Sequence, residues 1–333
     1  MQRRKHGRRP GPNVADLHTH LGAAVDPAIL FSIAHEQGIR LPTKNYWEFV
    51  DLVTVAPDRV KTFEEYLELF YWTELVQSSP SAMHASVVSV IAGGYRHTNI
   101  DLIELRYCPM KRNREGERDL DHIIVASANG MERAQLEYPE VRAGLILCTD
   151  RSLDPEANDN IVRKAIKYQH RGVVGIDLAG PDVDAFGGIR RLAPVFEEAR
   201  AAGLGITVHA GEKGTREEMR EVIEVLKPRR IGHGIKAAGD PRLLDCLAER
   251  GIVLEICPTS NLSTGVVSCV EEFRYIFDQF HEHGVRYCLN TDGPEMLVTD
   301  IYRERDLLRE AGILTQEQID RADRVARDAT FVR

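Results

Sequence analysis

The stretch VADLHTHL (14–21) restricts the fold more than any other part of the sequence. It starts as a short, mostly apolar run and then places two histidines two positions apart. Side chains at i and i+2 of a strand point to the same side, so His18 and His20 can both face one axis. We therefore predict a buried strand whose carboxyl end carries a pair of metal-ligating side chains.

Seven further runs of similar length and apolar character follow this strand. Such runs are typical of parallel strands that are buried on both faces. Helical periodicity lies between them, for example over 191–202, 240–250 and 270–283, each followed by glycine. The alternation predicts a (β/α)8 TIM barrel, with its other strands in IDLIELRYC (100–108), VRAGLILC (141–148), VVGIDLAG (173–180), GITVHAG (205–211), RRIGHGI (229–235), IVLEIC (252–257) and RYCLNTD (286–292).

The longest insertion, about residues 26–98, follows the first strand and is predicted to be helical. It contains FEEYLELFYWTEL (63–75), which has apolar residues near helical spacing at Phe63, Leu67, Phe70 and Leu75. One interpretation is a helix that packs on the side of the barrel. The other is a hydrophobic lid, because an insertion after a barrel strand emerges on the catalytic face.

The first 13 residues differ in composition from the rest of the sequence. Residues 1–13, MQRRKHGRRPGPN, are basic and lack the apolar stretch of a secretory signal, so we predict a flexible, solvated arm. No low-complexity segment or linker divides the remainder. We therefore expect residues 14–333 to form a single (β/α)8 domain.

Composition limits the choice of partners. The 333 residues include 51 acidic and 43 basic ones, a net charge of −8, which disfavours a nucleic-acid partner. No apolar run is long enough to span a membrane. Six cysteines without a CxxC pair indicate free thiols rather than disulfides, with four of them in strand-like runs, so we predict a cytoplasmic protein. The sequence predicts no particular oligomeric state.

Histidines and carboxylates recur where these predicted strands end. His18 and His20 close the first strand, His209 lies at the end of the fifth, and Asp292 follows the eighth. In a barrel these ends converge on one mouth. Three histidines and one carboxylate suit zinc and leave a position for water, so we predict one zinc ion per chain.

Two more residues at this mouth are candidates for proton transfer. Glu212 follows His209 by three positions; it is either a solvated loop carboxylate or, in a dry pocket with a raised pKa, a proton donor. His233 stands between two glycines, which would let substrate or water approach closely. We predict that His233 orients the attacking water and acts as its general base.

The motifs DLHTHL, VHAGE, RIGHGI, CPTSNL and NTDGP, in this order, resemble those of the adenosine deaminase family from about residue 14 onward. The resemblance implies a (β/α)8 barrel that uses one zinc ion to remove the 6-amino group of a purine nucleoside, a small-molecule partner. It implies that Glu212 protonates the ring nitrogen beside the reacting carbon and that Gly180 offers a backbone contact to the base. The implied zinc ligands are His18, His20, His209 and Asp292.

Two positions depart from the family pattern. The family usually has a second aspartate after the zinc-ligating one, where this chain has Gly293, and an acidic residue after HxHL, where it has Gly22. We expect both glycines to leave open space at the substrate and to change which aminopurine is preferred. In the family, the second aspartate hydrogen-bonds an imidazole nitrogen of the purine and the acidic residue contacts the sugar hydroxyl. The resemblance therefore implies that each missing contact would cost about 1–3 kcal/mol.

Two other functions fit the same metal ligands. One is hydrolysis of a different C–N bond, on another heterocycle, for which a donor such as Glu212 would have less use. The other is a zinc-bearing barrel that binds a ligand without turnover. Ammonia release or ring opening would separate the two enzymes, and an inert metal-loaded protein would indicate the binding module.

Overall fold

The computed structural model describes residues 11–55, 63–112, 120–181 and 188–333. Eight parallel strands in these parts pair in sequence order, each with the next one along the chain. Each of the eight predicted runs overlaps one of them, so the predicted (β/α)8 barrel is confirmed. The strands are β1 Val14–His20, β2 Ile100–Tyr107, β3 Arg142–Asp150, β4 Val173–Ala179, β5 Gly205–Ala210, β6 Arg230–His233, β7 Val253–Ile256 and β8 Arg286–Leu289.

Helices connect and cover these strands. The three helices predicted from the glycine stops form within one or two residues of the expected bounds. In α10 the Asp240 side chain accepts a hydrogen bond from the Leu243 amide at 3.1 Å, and proline occupies the first turn. The helices are α1 Leu21–Ala24, α2 Pro27–Glu36, α3 Tyr46–Val53, α4 Phe63–Val76, α5 Pro80–Thr98, α6 Leu120–Glu137, α7 Pro155–Lys167, α8 Ala193–Ala201, α9 Arg216–Val225, α10 Pro241–Glu249, α11 Pro258–Ser263, α12 Glu272–Glu282, α13 Ile301–Glu310 and α14 Gln316–Ala329.

The segment after β8 closes the barrel against β1. The predicted eighth strand reaches residue 292, but β8 ends at Leu289, and Asp292 forms a single parallel bridge with Thr19. The Asp292 amide donates to the His18 carbonyl at 2.8 Å, and the His20 amide donates to the Asp292 carbonyl at 2.7 Å. This closure holds Asp292 between the two histidines of β1.

The insertion after β1 is helical, as predicted, and its helix α4 covers the barrel mouth. Tyr66 and Phe70 of α4 stack edge to face, with ring centroids 5.7 Å apart. The Phe70 ring lies edge-on to His20 at 6.1 Å, and Tyr66 packs in a buried group with Ala23 and Met296. Of the two interpretations, the geometry matches the hydrophobic cover over the mouth.

The predicted flexible arm lies mostly outside the described residues, because residues 1–10 are not among them. Its last residues pack on the barrel: the Asn99 amide nitrogen donates to the Gly11 carbonyl at 3.4 Å, and the Tyr302 hydroxyl donates to the Pro12 carbonyl at 3.1 Å. All six cysteines are free, and the four in strand-like runs are buried. Among the described helices, none is long and apolar enough to cross a membrane.

A buried carboxyl group supports the CPTSNL segment beneath the mouth. Glu304 on α13 is fully buried, accepts a hydrogen bond from the Thr259 amide at 2.8 Å, and bonds the Thr299 hydroxyl. Burial raises the pKa of Glu304 from 4.5 to about 7, against the opposing effect of these hydrogen bonds. Folding therefore favours the protonated carboxyl group.

We expect Glu304→Gln to remove a pH dependence of stability. The stability of the wild type relative to this variant should be highest below pH 4.5. The wild type should then lose about 3 kcal/mol of unfolding free energy relative to the variant as the pH rises through about 7. Glutamine keeps an acceptor for Thr259 and a donor for Thr299, so the packing is preserved. Denaturant unfolding of both proteins from about pH 5 to about pH 8 measures the difference. Parallel curves would contradict the assignment.

Candidate active site

The four predicted zinc ligands converge at the carboxyl ends of the strands. The His18, His20 and His209 rings lie with centroids 4.7–5.2 Å apart. The Nε2 atoms of His20 and His209 are 3.1 Å apart. Asp292 Oδ1 is 3.8 Å from His18 Nε2 and 3.5 Å from His20 Nε2. The structure thus brings together side chains that are up to 274 positions apart in the sequence.

His18 provides the sharpest test of whether this cluster fits a metal. Its Nδ1 lies 2.7 Å from Glu255 Oε2, and a carboxylate oxygen accepts, so Nδ1 carries the proton. Its Nε2 is buried and has no hydrogen-bond partner within the described ranges. Burial also holds the pKa of His18 well below its usual value. A neutral imidazole whose buried lone pair faces other ligands suits a bound cation.

His209 is oriented in the same way from the opposite side of the barrel. Its Nδ1 lies 2.9 Å from Asp177 Oδ2, which directs Nε2 toward His20. Burial lowers the pKa of His209, but the Asp177 carboxylate outweighs it and the net shift is upward. A carboxylate behind a ligating imidazole fixes its tautomer and strengthens it as a ligand. The donor set therefore fits zinc, for which nitrogen and carboxylate oxygen are preferred ligands.

His233 lies within the same cluster. Its ring centroid is 5.0 Å from that of His18 and 5.3 Å from that of His209. One nitrogen atom from each of these three rings lies within 4.8 Å of the other two. The same holds for one ligand atom each of His18, His20 and Asp292. Asn261, from the CPTSNL segment, contacts His233 Nδ1 at 3.1 Å and orients the ring. The role of His233 at the attacking water stays a prediction.

Glu212 lies against His233 and is buried. Its Oε2 is 3.6 Å from His233 Nε2, and its Oε1 accepts a hydrogen bond from the Thr264 hydroxyl at 3.4 Å. Burial raises the pKa of Glu212, although His209 and Thr264 oppose the shift. Of the two sequence interpretations, a buried carboxyl group with a raised pKa matches a proton donor better than a solvated loop carboxylate.

Two of the candidate residues have strained backbones. His233 and Asp292 both have φ of 62°, in the left-handed region that residues with a side chain seldom adopt. Access for substrate or water through the glycines beside His233 stays a prediction. The structure shows a further reason for Gly232, because a Cβ atom there would lie 3.0 Å from His18 Cε1, so the glycine makes room for the His18 ring.

Gly180 borders the cavity that contains Glu212. It follows β4 with φ of +89°, and a Cβ atom there would lie 2.3 Å from Asp150 Oδ1, so only glycine fits. The cavity is lined by the cluster residue His209 and by Gly180, Glu212, Arg151 and Lys213, among others. The residue expected to contact the base thus lies beside the expected proton donor.

The expectation of open space at Gly22 and Gly293 is wrong. A Cβ atom at Gly293 would lie 2.6 Å from the Ala23 Cβ atom. A Cβ atom at Gly22 would lie 2.9 Å from Arg112 Nη2 and 3.1 Å from Phe70 Cδ1. Neighbouring side chains already fill both positions, so the two glycines change the chemistry of the mouth more than its volume.

Sequence reasoning missed the charged residues beneath the histidines. Arg106 on β2 is fully buried and bonds both supporting carboxylates, Asp177 Oδ2 at 3.1 Å and Glu255 Oε2 at 2.8 Å. Glu255 raises the pKa of Arg106, and Arg106 lowers the pKa of Glu255, each against the effect of burial. Both groups therefore stay charged. The sequence does contain a sign of them, because each of these residues interrupts an apolar strand run. An ionisable group buried there is costly unless it has partners.

We expect Asp177→Asn to weaken zinc binding about tenfold to a hundredfold, because His209 loses its anionic partner. Asp245→Asn is a matched control, since it removes a carboxylate that contacts His283 Nδ1 at 2.7 Å on the protein surface. Competition with a chromophoric chelator measures the affinity, and unfolding of the metal-free proteins shows whether folding is intact. Equal zinc affinity in the two variants would contradict the supporting role of Asp177.

The fold and the histidine–carboxylate cluster at the strand ends define the class of protein, a (β/α)8 barrel with a candidate metal centre. The sequence model of the adenosine deaminase family matches residues 12–333. The chain therefore belongs to the adenosine deaminase family. The expected enzyme class, a hydrolase acting on C–N bonds of amidines, is confirmed by the named relatives.

Curated relatives cover most of the chain. An adenosine deaminase of Enterococcus faecalis is 32% identical over 294 residues, covering 87% of this chain and 83% of that protein. An aminodeoxyfutalosine deaminase of Acidothermus cellulolyticus is 34% identical over 305 residues, covering 90% of this chain and 82% of that protein. These relatives carry different substrate names, so the family alone leaves the substrate undefined.

Solved structures share the fold. The adenine deaminase of Arthrobacter aurescens superimposes with a TM-score of 0.84 at 21% identity, covering 97% of this chain and 95% of that one. A zinc-bound amidohydrolase from Burkholderia superimposes with a TM-score of 0.85 at 21% identity, covering 96% and 86%. At this level of identity the similarity supports the barrel architecture.

Proposed function

We propose that this protein is a zinc-dependent hydrolytic deaminase that removes the 6-amino group of an aminopurine nucleoside or related 6-aminopurine as ammonia. The observation that carries the proposal is the buried Glu212 carboxyl group, 3.6 Å from His233 and beside the histidine cluster. A proton donor in this place suits a ring nitrogen, and it has less use in hydrolysis of a simple amide.

We further propose that one zinc ion is held by His18, His20, His209 and Asp292. Ligand atoms of His18, His20 and Asp292 lie within 4.8 Å of one another, and the Nε2 atoms of His20 and His209 are 3.1 Å apart, which supports the proposal. When bound, the ion would supply the positive charge that lowers the pKa of a water molecule at the mouth toward ~7. The remaining chemistry falls to the chain's own side chains and to the exclusion of water by helix α4.

Each proton has a residue to hold it. His233 orients the attacking water and accepts its proton as oxygen bonds to the ring carbon that bears the amino group. Glu212 donates its proton to the adjacent ring nitrogen, which receives the electron pair of the C=N bond. The amino group then takes the proton held by His233 and leaves as ammonia with the electron pair of the broken C–N bond. The hydroxyl proton passes to the Glu212 carboxylate, so the carbon becomes a carbonyl and Glu212 is protonated again.

The proposal also covers the organisation of the chain. We propose that residues 14–333 act as one hydrolase domain, because the strands that supply the ligands run from β1 to the segment after β8. The names of the relatives, adenosine deaminase and aminodeoxyfutalosine deaminase, support a purine substrate.

A screen of aminopurine nucleosides, nucleotides and free bases tests this function. The zinc-loaded protein should release ammonia and convert at least one of them into the corresponding 6-oxopurine, as followed by mass spectrometry. A protein that is folded, zinc-loaded and inert on the whole panel would overturn the proposal and indicate a binding module. Ring opening without ammonia release would indicate the other hydrolase chemistry.

A further inference from the structure

The strongest unexplained group outside the histidine cluster is the guanidinium of Arg112. This residue ends the short 3-10 turn Met110–Arg112, which follows β2 at the catalytic end of the barrel. It is 1% exposed, and its Nε and Nη1 atoms are buried with no hydrogen-bond partner in the parts of the chain that the structure describes. Because buried donors without acceptors are costly, this arrangement indicates a missing acceptor.

Arg112 lies at the rim of the proposed active site. Its Nη2 is 2.9 Å from the point that a Gly22 Cβ atom would occupy, two residues after His20. Phe70 borders the same point at 3.1 Å, and its ring is 6.1 Å from the His20 ring. One aromatic ring therefore separates the guanidinium from the nearest proposed zinc ligand.

The absence of a side chain at position 22 keeps this cation available. An acidic side chain at position 22 would contact the guanidinium directly and neutralise it. Glycine places no carboxylate there. Burial lowers the pKa of Arg112, and the opposing influence of Glu74 does not fully offset this. Within the described residues, Arg112 is thus a buried guanidinium with two nitrogen atoms that have no hydrogen-bond partner.

The shape of a 6-aminopurine explains which part of the substrate reaches this cation. Glu212 follows β5, whereas Gly22 and Arg112 follow β1 and β2, on the other side of an eight-stranded barrel. In a 6-aminopurine the sugar-bearing nitrogen lies at the far end of the ring system from the nitrogen that Glu212 would protonate. A substituent on the sugar therefore extends toward the Arg112 side of the mouth.

We infer that the substrate of this enzyme carries an anionic group, a phosphate or a carboxylate, on its sugar, and that Arg112 binds this group. This inference rests on the proposed deaminase function and names its substrate class. Arginine binds both oxyanions through paired N–H donors, and the contact is stronger where water is excluded.

The test compares three substrates in three proteins. The substrates are adenosine, adenosine 5′-monophosphate and adenosine 5′-carboxylic acid, and the proteins are wild type, Arg112→Gln and the control Arg133→Gln, which removes a surface cation of α6. We expect kcat/KM in the wild type to favour at least one anionic substrate over adenosine by about tenfold to a hundredfold. This ratio should fall to near unity in Arg112→Gln and stay unchanged in Arg133→Gln. The preferred anion identifies phosphate or carboxylate as the group.

A second variant and a binding measurement keep the outcome clear if Arg112→Gln folds poorly. Gly22→Asp places a carboxylate beside Arg112, whose flexible side-chain end and the Phe70 ring must shift by a few tenths of an ångström to admit it. It should also abolish the preference for anions, and its melting temperature shows whether the fold is intact. Calorimetry should show that the wild type binds the anionic product more tightly than inosine, and that neither variant does. Equal or better turnover of adenosine in the wild type would overturn the inference while leaving the deaminase function intact. Failure to deaminate any aminopurine in the broad screen would instead overturn the proposed function.

Discussion

Replacing Glu212 by glutamine should lower kcat about a hundredfold to ten-thousandfold while leaving the fold and the bound zinc in place. This is the usual range for removing a positioned general acid. Glutamine has the same size and can still accept the Thr264 hydrogen bond, but it cannot deliver a proton to the substrate ring. The expected loss is therefore chemical, and substrate affinity should change far less than kcat.

Single-turnover kinetics on the zinc-loaded variant measures the effect, with Glu217→Gln as a control on the exposed side of α9. The control should match the wild type. If Glu212→Gln retained more than about a tenth of the wild-type rate of the chemical step, Glu212 would not be the proton donor, and the carboxylate would have only a structural role.

Removing the metal should have a comparable or larger effect. A bound cation contributes several kcal/mol to such hydrolyses, so metal-free protein should lose more than about a thousandfold in rate. Four ligand atoms converge in the structure with the buried Nε2 of His18 among them, and this arrangement explains why zinc should bind tightly. Zinc should also raise the thermal stability, because the folded state binds it and the unfolded chain does not.

Dialysis against a chelator, followed by titration with zinc, measures activity and melting temperature together. Both should return at one equivalent of zinc per chain. His18→Ala should fail to recover either, whereas His283→Ala, which changes a surface histidine, should recover both. Full activity of the metal-free protein would contradict the proposed metal centre.

The barrel and the cluster were predictable from the sequence for different reasons. The strands are buried on both faces, so each appears as an apolar run, and the helices between them end at glycines. His18, His20, His209 and Asp292 stand out because ionisable residues at strand ends converge in this fold. Their partners Asp177 and Glu255 lie inside the apolar runs, and only the register between strands shows which histidine each one supports.

The surroundings of the two unusual glycines could not be predicted. The sequence shows that Gly22 and Gly293 lack side chains, but the neighbours that fill those positions come from distant parts of the chain. Arg112 reaches Gly22 from the turn after β2, and Phe70 reaches it from the insertion. Likewise, the pKa of Glu304 depends on burial by tertiary packing, to which local sequence gives no guide.

The central claim is that this chain replaces the amino group of a 6-aminopurine by an oxygen atom from water. The most direct test is to run the reaction of the zinc-loaded protein in heavy-oxygen water and to weigh the product. We predict a 6-oxopurine that carries one heavy oxygen atom, released with one equivalent of ammonia, and neither product from Glu212→Gln on the same timescale. A product without solvent oxygen, or no product from any aminopurine, would contradict the account.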